Sequence, residues 1–285
     1  MNVLLKIVIF ILFCSNSFAQ GNLVLIGGGK RPESVMKQIV ALQKDGPFLI
    51  VPMASGIPDT VGWEHRDMFK EFGAKNVENM LIQKSDSINT ELIKKFESAG
   101  GIWFSGGDQN RLMQFIGNTA LKSAIHKAYV NGAVIAGTSA GTAIQSEWMI
   151  TGDERFPISE RVYFGQIRKQ NTILEPGLGL LKGMIVDQHF IRRGRSNRLI
   201  TSLLDEPVSS VAGIDESTAL WFKPNGNVEV IGDGQVLIWE KTEFSVVVKK
   251  DSLLGAKNII MHLLPSGSKF EWKNKTIKNI ELSKN

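Results

Sequence analysis

The sequence predicts an α/β protein with an open, mostly parallel sheet, helices on both faces and a β-rich C-terminal part. Short apolar runs alternate with helical segments from residue 22 to about residue 145, a pattern that builds parallel strands joined by right-handed crossovers. Glycine-rich or polar loops directly follow several of these runs, and short strands replace the helices from Val208 onward. Ligands of such sheets bind at the carboxyl ends of the strands.

The first half of the chain supplies the parallel strands. Each is a continuous apolar run, as expected for a sheet that is buried on both faces. Strands are predicted at 22–26, 48–52, 77–82, 101–104 and 133–136, and helices at 33–43, 59–72, 87–98, 109–117 and 121–131. The cap of the third helix is expected at Asp86 or Ser87.

The second half is less regular. Residues 148–173 have mixed polarity and predict a long irregular excursion that lines the substrate cleft. A strand at 183–186 and a helix ending at Leu204 follow, and Asn225-Gly226 between apolar runs predicts a hairpin turn. The later strands are predicted at 208–214, 219–223, 228–231, 236–239 and 259–264.

Composition excludes several classes of function. The chain has 285 residues, 43% of them hydrophobic and 21% charged, which is typical of a globular protein. Its net charge of +5 is spread over 33 basic and 28 acidic residues, so no nucleic-acid partner is expected, and the basic cluster at 192–198 suits a compact anion site. The glycines after Ile26 lack the spacing of a dinucleotide fingerprint. We expect neither a cofactor nor a metal.

Residues 1–19 predict a secretory signal peptide. A basic start with Lys6 and an apolar stretch at 7–13 precede the small-x-small site Ser17-Phe18-Ala19. Lipoprotein cleavage at Cys14 is the less favoured alternative, because bulky Phe13 stands where a small residue is expected. Cleavage after Ala19 removes the single cysteine, which excludes disulfides and a cysteine nucleophile. The mature protein is expected to be secreted or periplasmic, without membrane attachment.

A serine between small residues follows the apolar run at 133–136. Gly137-x-Ser139-x-Gly141 has the spacing of a nucleophile elbow, in which a strand turns sharply into a helix and exposes the serine hydroxyl. Glycine on both sides permits so tight a turn. Small residues after a buried strand also serve ordinary helix–sheet packing, so the pattern alone is compatible with either interpretation.

A serine nucleophile needs a general base, and four histidines are candidates. His65 and His126 lie in predicted helices and His262 lies in a late alternating strand, where structural roles are the ordinary expectation. His189 directly follows a predicted buried strand in a polar loop. His189 is therefore the favoured base.

An acid usually orients such a histidine and stabilises the imidazolium. Asp187 is two residues from His189 and would need a turn to reach the ring. Asp215 and Glu216 follow another apolar strand and are expected at the same sheet edge. The residues alone do not choose between Asp215 and Glu216, and an ordinary solvated turn is the other interpretation of this pair.

Four arginines at 192–198 immediately follow the candidate base. Charges facing water at the start of a helix are common. Cations there oppose the helix dipole, however, and guanidinium groups bind carboxylates bidentately. The cluster therefore suggests a substrate with a free carboxylate.

Four motifs in order resemble the cyanophycinase-like serine peptidases, a family that includes aspartyl dipeptidase E. The motifs are Gly106-Gly107-Asp108-Gln109, Gly137-Thr138-Ser139-Ala140-Gly141, Asp187-Gln188-His189-Phe190 with Arg193, Arg195 and Arg198, and Gly213-Ile214-Asp215-Glu216 with Thr218 and Ala219. The resemblance covers residues 21–265. It implies one peptidase domain at 20–285 with a fold similar to class I glutamine amidotransferases.

The resemblance also implies roles for individual residues. Ser139 would be the nucleophile, His189 the base and Glu216 the orienting acid. The implied substrate pocket contains Gln109, Asp187, Gln188, Arg193, Arg195 and Arg198. Asp108 stands where many relatives are expected to have asparagine, which adds a negative charge near the pocket. Backbone N–H groups of Gly107 and Ala140 are expected to hold the oxyanion.

The expected activity is hydrolysis of aspartyl peptide bonds, β-aspartyl-arginine in particular, through an acyl-enzyme. The expected partner is a peptide with a free carboxylate, and family members commonly pair into dimers. Alternatives are an α-aspartyl or isoaspartyl dipeptidase, a serine esterase, and a non-catalytic binding protein on the same scaffold. The filled triad positions argue against the last of these.

Overall fold

A computed structural model describes residues 20–82, 88–159 and 164–283. The predicted signal peptide at 1–19 lies outside these ranges. In the described part of the chain, no helix combines the length and the apolar character needed to cross a membrane.

Strand and helix alternate through the first half, as predicted. The elements are β1 (Leu23–Ile26), α1 (Glu33–Ala41), β2 (Phe48–Val51), α2 (Pro58–Glu71), β3 (Val77–Asn79), α3 (Thr90–Glu97), β4 (Gly101–Phe104), α4 (Gln109–Ile116), α5 (Ala120–Val130), β5 (Val134–Thr138) and α6 (Ala140–Ala143). The cap of α3 is Asn89, whose side chain accepts the Leu92 N–H at 2.8 Å. The predicted cap residues, Asp86 and Ser87, lie outside the described residues.

The parallel strands form the centre of the protein in the order β1-β5-β4-β2-β3. β1 shows how two helical layers cover the sheet, because successive side chains point to opposite faces. Leu23 and Leu25 pack in a cluster with residues of α3, α4 and α5. Val24 and Ile26 pack with residues of α1 and α2 on the other face.

The C-terminal half is rich in strands. Its elements are β6 (Trp148–Glu154), β7 (Thr172–Pro176), β8 (Met184–Asp187), α7 (Ser196–Asp205), β9 (Ser210–Ile214), β10 (Thr218–Phe222), β11 (Asn227–Gly232), β12 (Gln235–Glu240), β13 (Val246–Lys250), β14 (Leu253–Lys257), β15 (Ile260–Pro265), β16 (Lys269–Lys273) and β17 (Thr276–Glu281). β10, β11, β16 and β17 extend the main sheet antiparallel to one another. The hairpin turn at Asn225-Gly226 is confirmed, with Gly226 at φ 84°.

Two expectations about this half are wrong. The segment 148–173 is not irregular throughout, because β6 pairs with β7. The second expectation concerns β8 and β9, which precede His189 and the acid pair and were expected in the main sheet. They lie in a second sheet of order β15-β12-β9-β8, in which β8 and β9 are parallel. The predicted fold class, a parallel-rich α/β sheet with a β-rich C-terminal part, is confirmed.

Gly213 of β9 makes room for an aromatic side chain in the second sheet. A Cβ built at Gly213 would lie 2.2–2.5 Å from three atoms of the Phe190 ring. Phe190 is buried and its ring meets that of Trp239 edge-on, with centroids 5.9 Å apart. The loop after β8 can therefore pack against β9 only because residue 213 has no side chain.

We predict that Gly213→Ala lowers the free energy of unfolding by about 1–3 kcal/mol, because the added methyl group overpacks the Phe190 ring. Urea denaturation measures this change. Gly56→Ala is the matched control, since a Cβ there meets only the Arg111 guanidinium at 4.0 Å. Equal stability of the two variants would contradict the packing argument.

Candidate active site

Ser139 lies at the sharp turn between β5 and α6. Its φ of 53° and ψ of −112° are strained for a residue with a side chain. The turn is tight enough to exclude side chains on both sides. A Cβ at Gly137 would lie 2.3 Å from the Gly141 carbonyl oxygen, and one at Gly141 would lie 2.2 Å from the Phe104 carbonyl oxygen. The sequence pattern therefore does encode a strand–turn–helix elbow.

His189 reaches this serine from the second sheet. Its Nε2 is 2.9 Å from Ser139 Oγ, and its Nδ1 is 2.6 Å from Glu216 Oε1. An ionised carboxylate can only accept, so Nδ1 carries the proton of the neutral ring and Nε2 is free to accept from the hydroxyl. The three side chains form one hydrogen-bonded chain.

The geometry separates the two neighbouring acids that the sequence pattern left open. Glu216 contacts the His189 ring, whereas Asp215 Oδ1 accepts the backbone N–H of Arg192 at 3.0 Å. Asp187, the third candidate, is buried and pairs with Arg198 instead.

The loop after β1 holds the backbones of these residues together. The Ile26 carbonyl accepts the Ser139 N–H at 3.1 Å, and the Gly27 carbonyl accepts the His189 N–H at 2.6 Å. The Gly28 carbonyl accepts the N–H of Ser217, the residue after Glu216, at 2.9 Å. Three successive carbonyls thus fix the positions of three segments that lie far apart in the sequence.

Glycine is required in this loop, because a side chain there would clash with His189 or Glu216. A Cβ at Gly28 would lie 2.4 Å from Cε1 and Nε2 of the His189 ring, and one at Gly29 would lie 2.7 Å from Cβ of Glu216. Both glycines also have positive φ angles, 105° and 69°. Their role is to let the loop approach the His189 and Glu216 side chains closely.

The other three histidines have partners elsewhere. His65 Nδ1 accepts the Trp103 indole N–H at 3.0 Å, and burial lowers the pKa of His65 to about 4. His126 Nε2 lies 2.6 Å from the Leu178 carbonyl oxygen, and His262 Nε2 lies 3.5 Å from Glu240 Oε1. These contacts are those of structural histidines, as expected from their positions in helices and a late strand.

A cavity of about 630 Å³ opens in front of Ser139. Predicted residues that line it are Gly107, Gln109, Gln188, Arg193, Arg195 and Arg198. The sequence did not single out Asn110, Thr151, Gly152, Asp153 or Phe164, which also line it. Most of these belong to residues 148–173, which were predicted to line the cleft. The sequence therefore indicated the segment but not its individual residues.

The arginine cluster divides into supporting and exposed members. Arg198 is buried and donates from Nε to Asp187 Oδ2 at 2.7 Å, with a second bond from Nη2 to Oδ1. Arg195 donates to the Gln188 carbonyl at 2.7 Å and to its side-chain oxygen. Arg193 is exposed at the cavity and forms no ion pair with a described residue. It is thus the arginine best placed to meet a ligand anion.

Other residues that line the cavity carry hydrogen-bond acceptors. Gln109 donates from Nε2 to the Ile150 and Thr151 carbonyls at 2.8 and 2.6 Å, so both amide hydrogens are used. Among the described residues, none donates to the buried Asn110 Oδ1. The Asp153 carboxylate is exposed at the cavity and has no ion-pair partner in the described part of the chain.

Two backbone N–H groups remain free beside the serine. Within the described ranges, neither the Gly107 N–H nor the Ala140 N–H has a hydrogen-bond acceptor. Gly107 has a φ of 140°, and a Cβ at neighbouring Gly106 would lie 3.4 Å from Ser139 Cβ. Asp108 caps α4 by accepting the Asn110 and Arg111 N–H groups at 2.8 and 3.2 Å.

The electrostatics keep the ring neutral and the acid charged. Burial lowers the pKa of His189 below its usual value, Arg193 and Arg195 lower it further, and the Glu216 hydrogen bond opposes them. The His189 hydrogen bond lowers the pKa of Glu216. Burial lowers the pKa of Arg195 to about 10, so this side chain stays protonated at pH 7.

An α/β fold with a serine elbow facing a histidine and a carboxylate defines a serine hydrolase. Residues 23–231 match the model of peptidase family S51, and the chain belongs to this family of serine-type peptidases.

Curated relatives agree with this assignment, and solved structures share the fold. The cyanophycinase of Nostoc sp. is 32% identical over 235 residues, which cover 80% of this chain and 76% of the relative. That of Geminocystis herdmanii is 31% identical over 265 residues, covering 88% and 93%. The crystal structure of a peptidase from an acI-B1 Actinobacterium has a TM-score of 0.65 at 23% identity, covering 88% of this chain and 97% of that one. A putative peptidase E from Listeria monocytogenes has a TM-score of 0.54 at 16% identity, covering 75% and 99%.

We predict that Arg193→Gln raises the pKa of His189, because the substitution removes a cation that disfavours the imidazolium. NMR titration of the ring protons measures the shift, which should shrink at high salt. Arg192→Gln is the matched control, since Arg192 acts on Glu216 and not directly on His189. A His189 pKa that falls or stays constant in Arg193→Gln would contradict the conclusion that Arg193 lowers this pKa.

Proposed function

We propose that this peptidase hydrolyses aspartyl peptide bonds, β-aspartyl-arginine bonds in particular, with Ser139 as nucleophile, His189 as base and Glu216 as orienting acid. The observation that carries the proposal is the hydrogen-bonded chain from Ser139 Oγ through the His189 ring to Glu216. The names of the cyanophycinase relatives support the aspartyl substrate.

The first half of the reaction forms the tetrahedral intermediate that precedes the acyl-enzyme. Ser139 Oγ attacks the carbonyl carbon of the scissile bond while its proton passes to His189 Nε2. Glu216 stabilises the imidazolium through Nδ1–H. The free N–H groups of Gly107 and Ala140 bind the oxyanion, and a key donor of this kind is worth about 3–4 kcal/mol.

The second half releases the products. The C–N bond breaks as His189 returns its proton to the leaving amine. Water then attacks the ester carbonyl, its proton passes to His189, and the proton is transferred to Ser139 Oγ as the acid leaves. The lowered pKa of His189 supports this role, because a neutral ring is ready to act as base at pH 7.

The charges of the cavity support a substrate with both an anion and a cation. Arg193 offers a guanidinium that has no ion-pair partner among the described residues and suits the free carboxylate of an aspartyl residue. The exposed Asp153 carboxylate, which also lines the cavity, accepts hydrogen bonds, and this suits a guanidinium with its five donors. An uncharged ester would leave these groups without partners, which disfavours an esterase.

We further propose that residues 1–19 direct export, so that the mature enzyme meets its substrate outside the cytoplasm. The basic, apolar and small-residue regions of this segment support the proposal. An exported enzyme would act on polymer or peptides that other cells release.

We predict that Ser139→Ala lowers kcat for β-aspartyl-arginine by at least about 10³-fold, because no other group can form the acyl-enzyme. Mass spectrometry of digests of cyanophycin and of a library of α- and β-aspartyl peptides measures turnover and separates a polymer hydrolase from a dipeptidase. Circular dichroism should show an unchanged fold.

Two further probes accompany this variant. A serine-directed phosphonate should label wild type at Ser139, whereas a non-catalytic binding protein would not be labelled. A p-nitrophenyl ester tests for esterase activity. Full turnover by Ser139→Ala would overturn the mechanism.

We predict that Asp153→Asn raises KM for β-aspartyl-arginine by about threefold to tenfold and changes kcat little, because a charged hydrogen bond to the substrate cation is weakened. β-Aspartyl-leucine is the matched control substrate and should be unaffected. Asp108→Asn is the matched control variant, because it removes the negative charge of Asp108 near the pocket while the asparagine side chain still caps α4. An equal effect of Asp153→Asn on both substrates would contradict recognition of the cation.

A further inference from the structure

Thr142 lies one helical turn beyond the serine and is fully buried. Its Oγ1 is 2.7 Å from the Ile26 carbonyl oxygen and 2.8 Å from the Gly137 carbonyl oxygen. A hydroxyl has one proton to donate, so the two carbonyls share it. The hydroxyl thereby joins the end of β1, the end of β5 and the start of α6 at one point.

The Ile26 carbonyl also accepts a hydrogen bond from a second donor, which connects Thr142 to the backbone of Ser139. The same oxygen accepts the N–H of Ser139 at 3.1 Å. Thr142 and Ser139 therefore hold one carbonyl from two directions. A shift of Ile26 would move the backbone of Ser139, whose φ of 53° is kept only by its surroundings.

The carbonyl of the residue after β1 binds the backbone of the proposed base. Gly27 accepts the His189 N–H at 2.6 Å, directly after Ile26 in the chain. Thr142 thus acts on the one strand end that holds both the serine and the histidine. The contact that depends on this alignment is the 2.9 Å hydrogen bond between Ser139 Oγ and His189 Nε2.

We propose that Thr142 is a positioning residue that sets the distance between Ser139 and His189 by clamping Ile26 to Gly137. The proposal rests on the proposed roles of these two residues. Thr142 touches neither the substrate nor the reacting atoms. It acts through the β1 carbonyl, and displacement of a reacting group by about 1 Å costs on the order of 100-fold in rate.

Thr142→Val tests the hydroxyl, because valine keeps the branched shape and removes the donor. We expect kcat to fall at least about tenfold at unchanged KM, and the rate of phosphonate labelling of Ser139 to fall in parallel. Rates are normalised to folded protein by active-site titration. Thr142→Ser restores the donor and should recover most of the activity.

Thr201→Val is the matched control. Thr201 is also buried, and its Oγ1 donates to the Asn197 carbonyl at 2.7 Å within α7. This variant should lose a similar amount of stability and keep the kcat of wild type. A purely structural role of Thr142 predicts that both valine variants behave alike.

The outcomes separate the two proposals. A wild-type kcat and labelling rate in folded Thr142→Val overturns the positioning role, as does a Thr142→Ser variant that is as impaired as valine. Neither result affects the nucleophile. Turnover by Ser139→Ala would instead overturn the proposed function, whatever Thr142→Val shows.

Discussion

The candidate active site depends on three successive backbone carbonyls, which follow one another from the last residue of β1. Those of Ile26, Gly27 and Gly28 accept N–H groups from the serine turn, the histidine loop and the loop of the acid. Backbone hydrogen bonds of this kind fix the main chain without using any side chain of the site. The main sheet thereby positions groups that come from the second sheet, and the glycines of the β1 loop keep the space between them open.

Charge in the cavity follows from which ions are already paired. The bidentate pair of Arg198 and Asp187 is buried and compensated, so it supports the loop after β8 and contributes no free charge. Arg193 and Asp153, by contrast, are exposed and line the cavity. Residues of one sequence motif therefore have different physical roles, and burial decides which ones a ligand can meet.

Much of the fold could be predicted from local sequence patterns. The strand–turn–helix at Ser139 follows from an apolar run and two glycines, and the hairpin at Asn225-Gly226 follows from its turn residues. The C-terminal strands β13, β14, β16 and β17 were not predicted. Charged side chains interrupt the apolar pattern of β13, β16 and β17, and β14 contains a glycine, so these strands gain their stability from pairing. Placement of β8 and β9 in a second sheet has no local signal either, since their apolar runs suit both sheets.

The sequence by itself determined the order of strands and helices in the first half, the serine at its elbow and the histidine most able to face it, because periodicity and turn chemistry are local properties. Tertiary structure decided what the residue pattern left open: Glu216, the acid that the resemblance implies, and not Asp215 meets the ring. It also decided that Asp187 pairs with Arg198 and that Asp153 borders the cavity. Adjacent residues point in different directions, and only the packed backbone fixes which direction leads to the site.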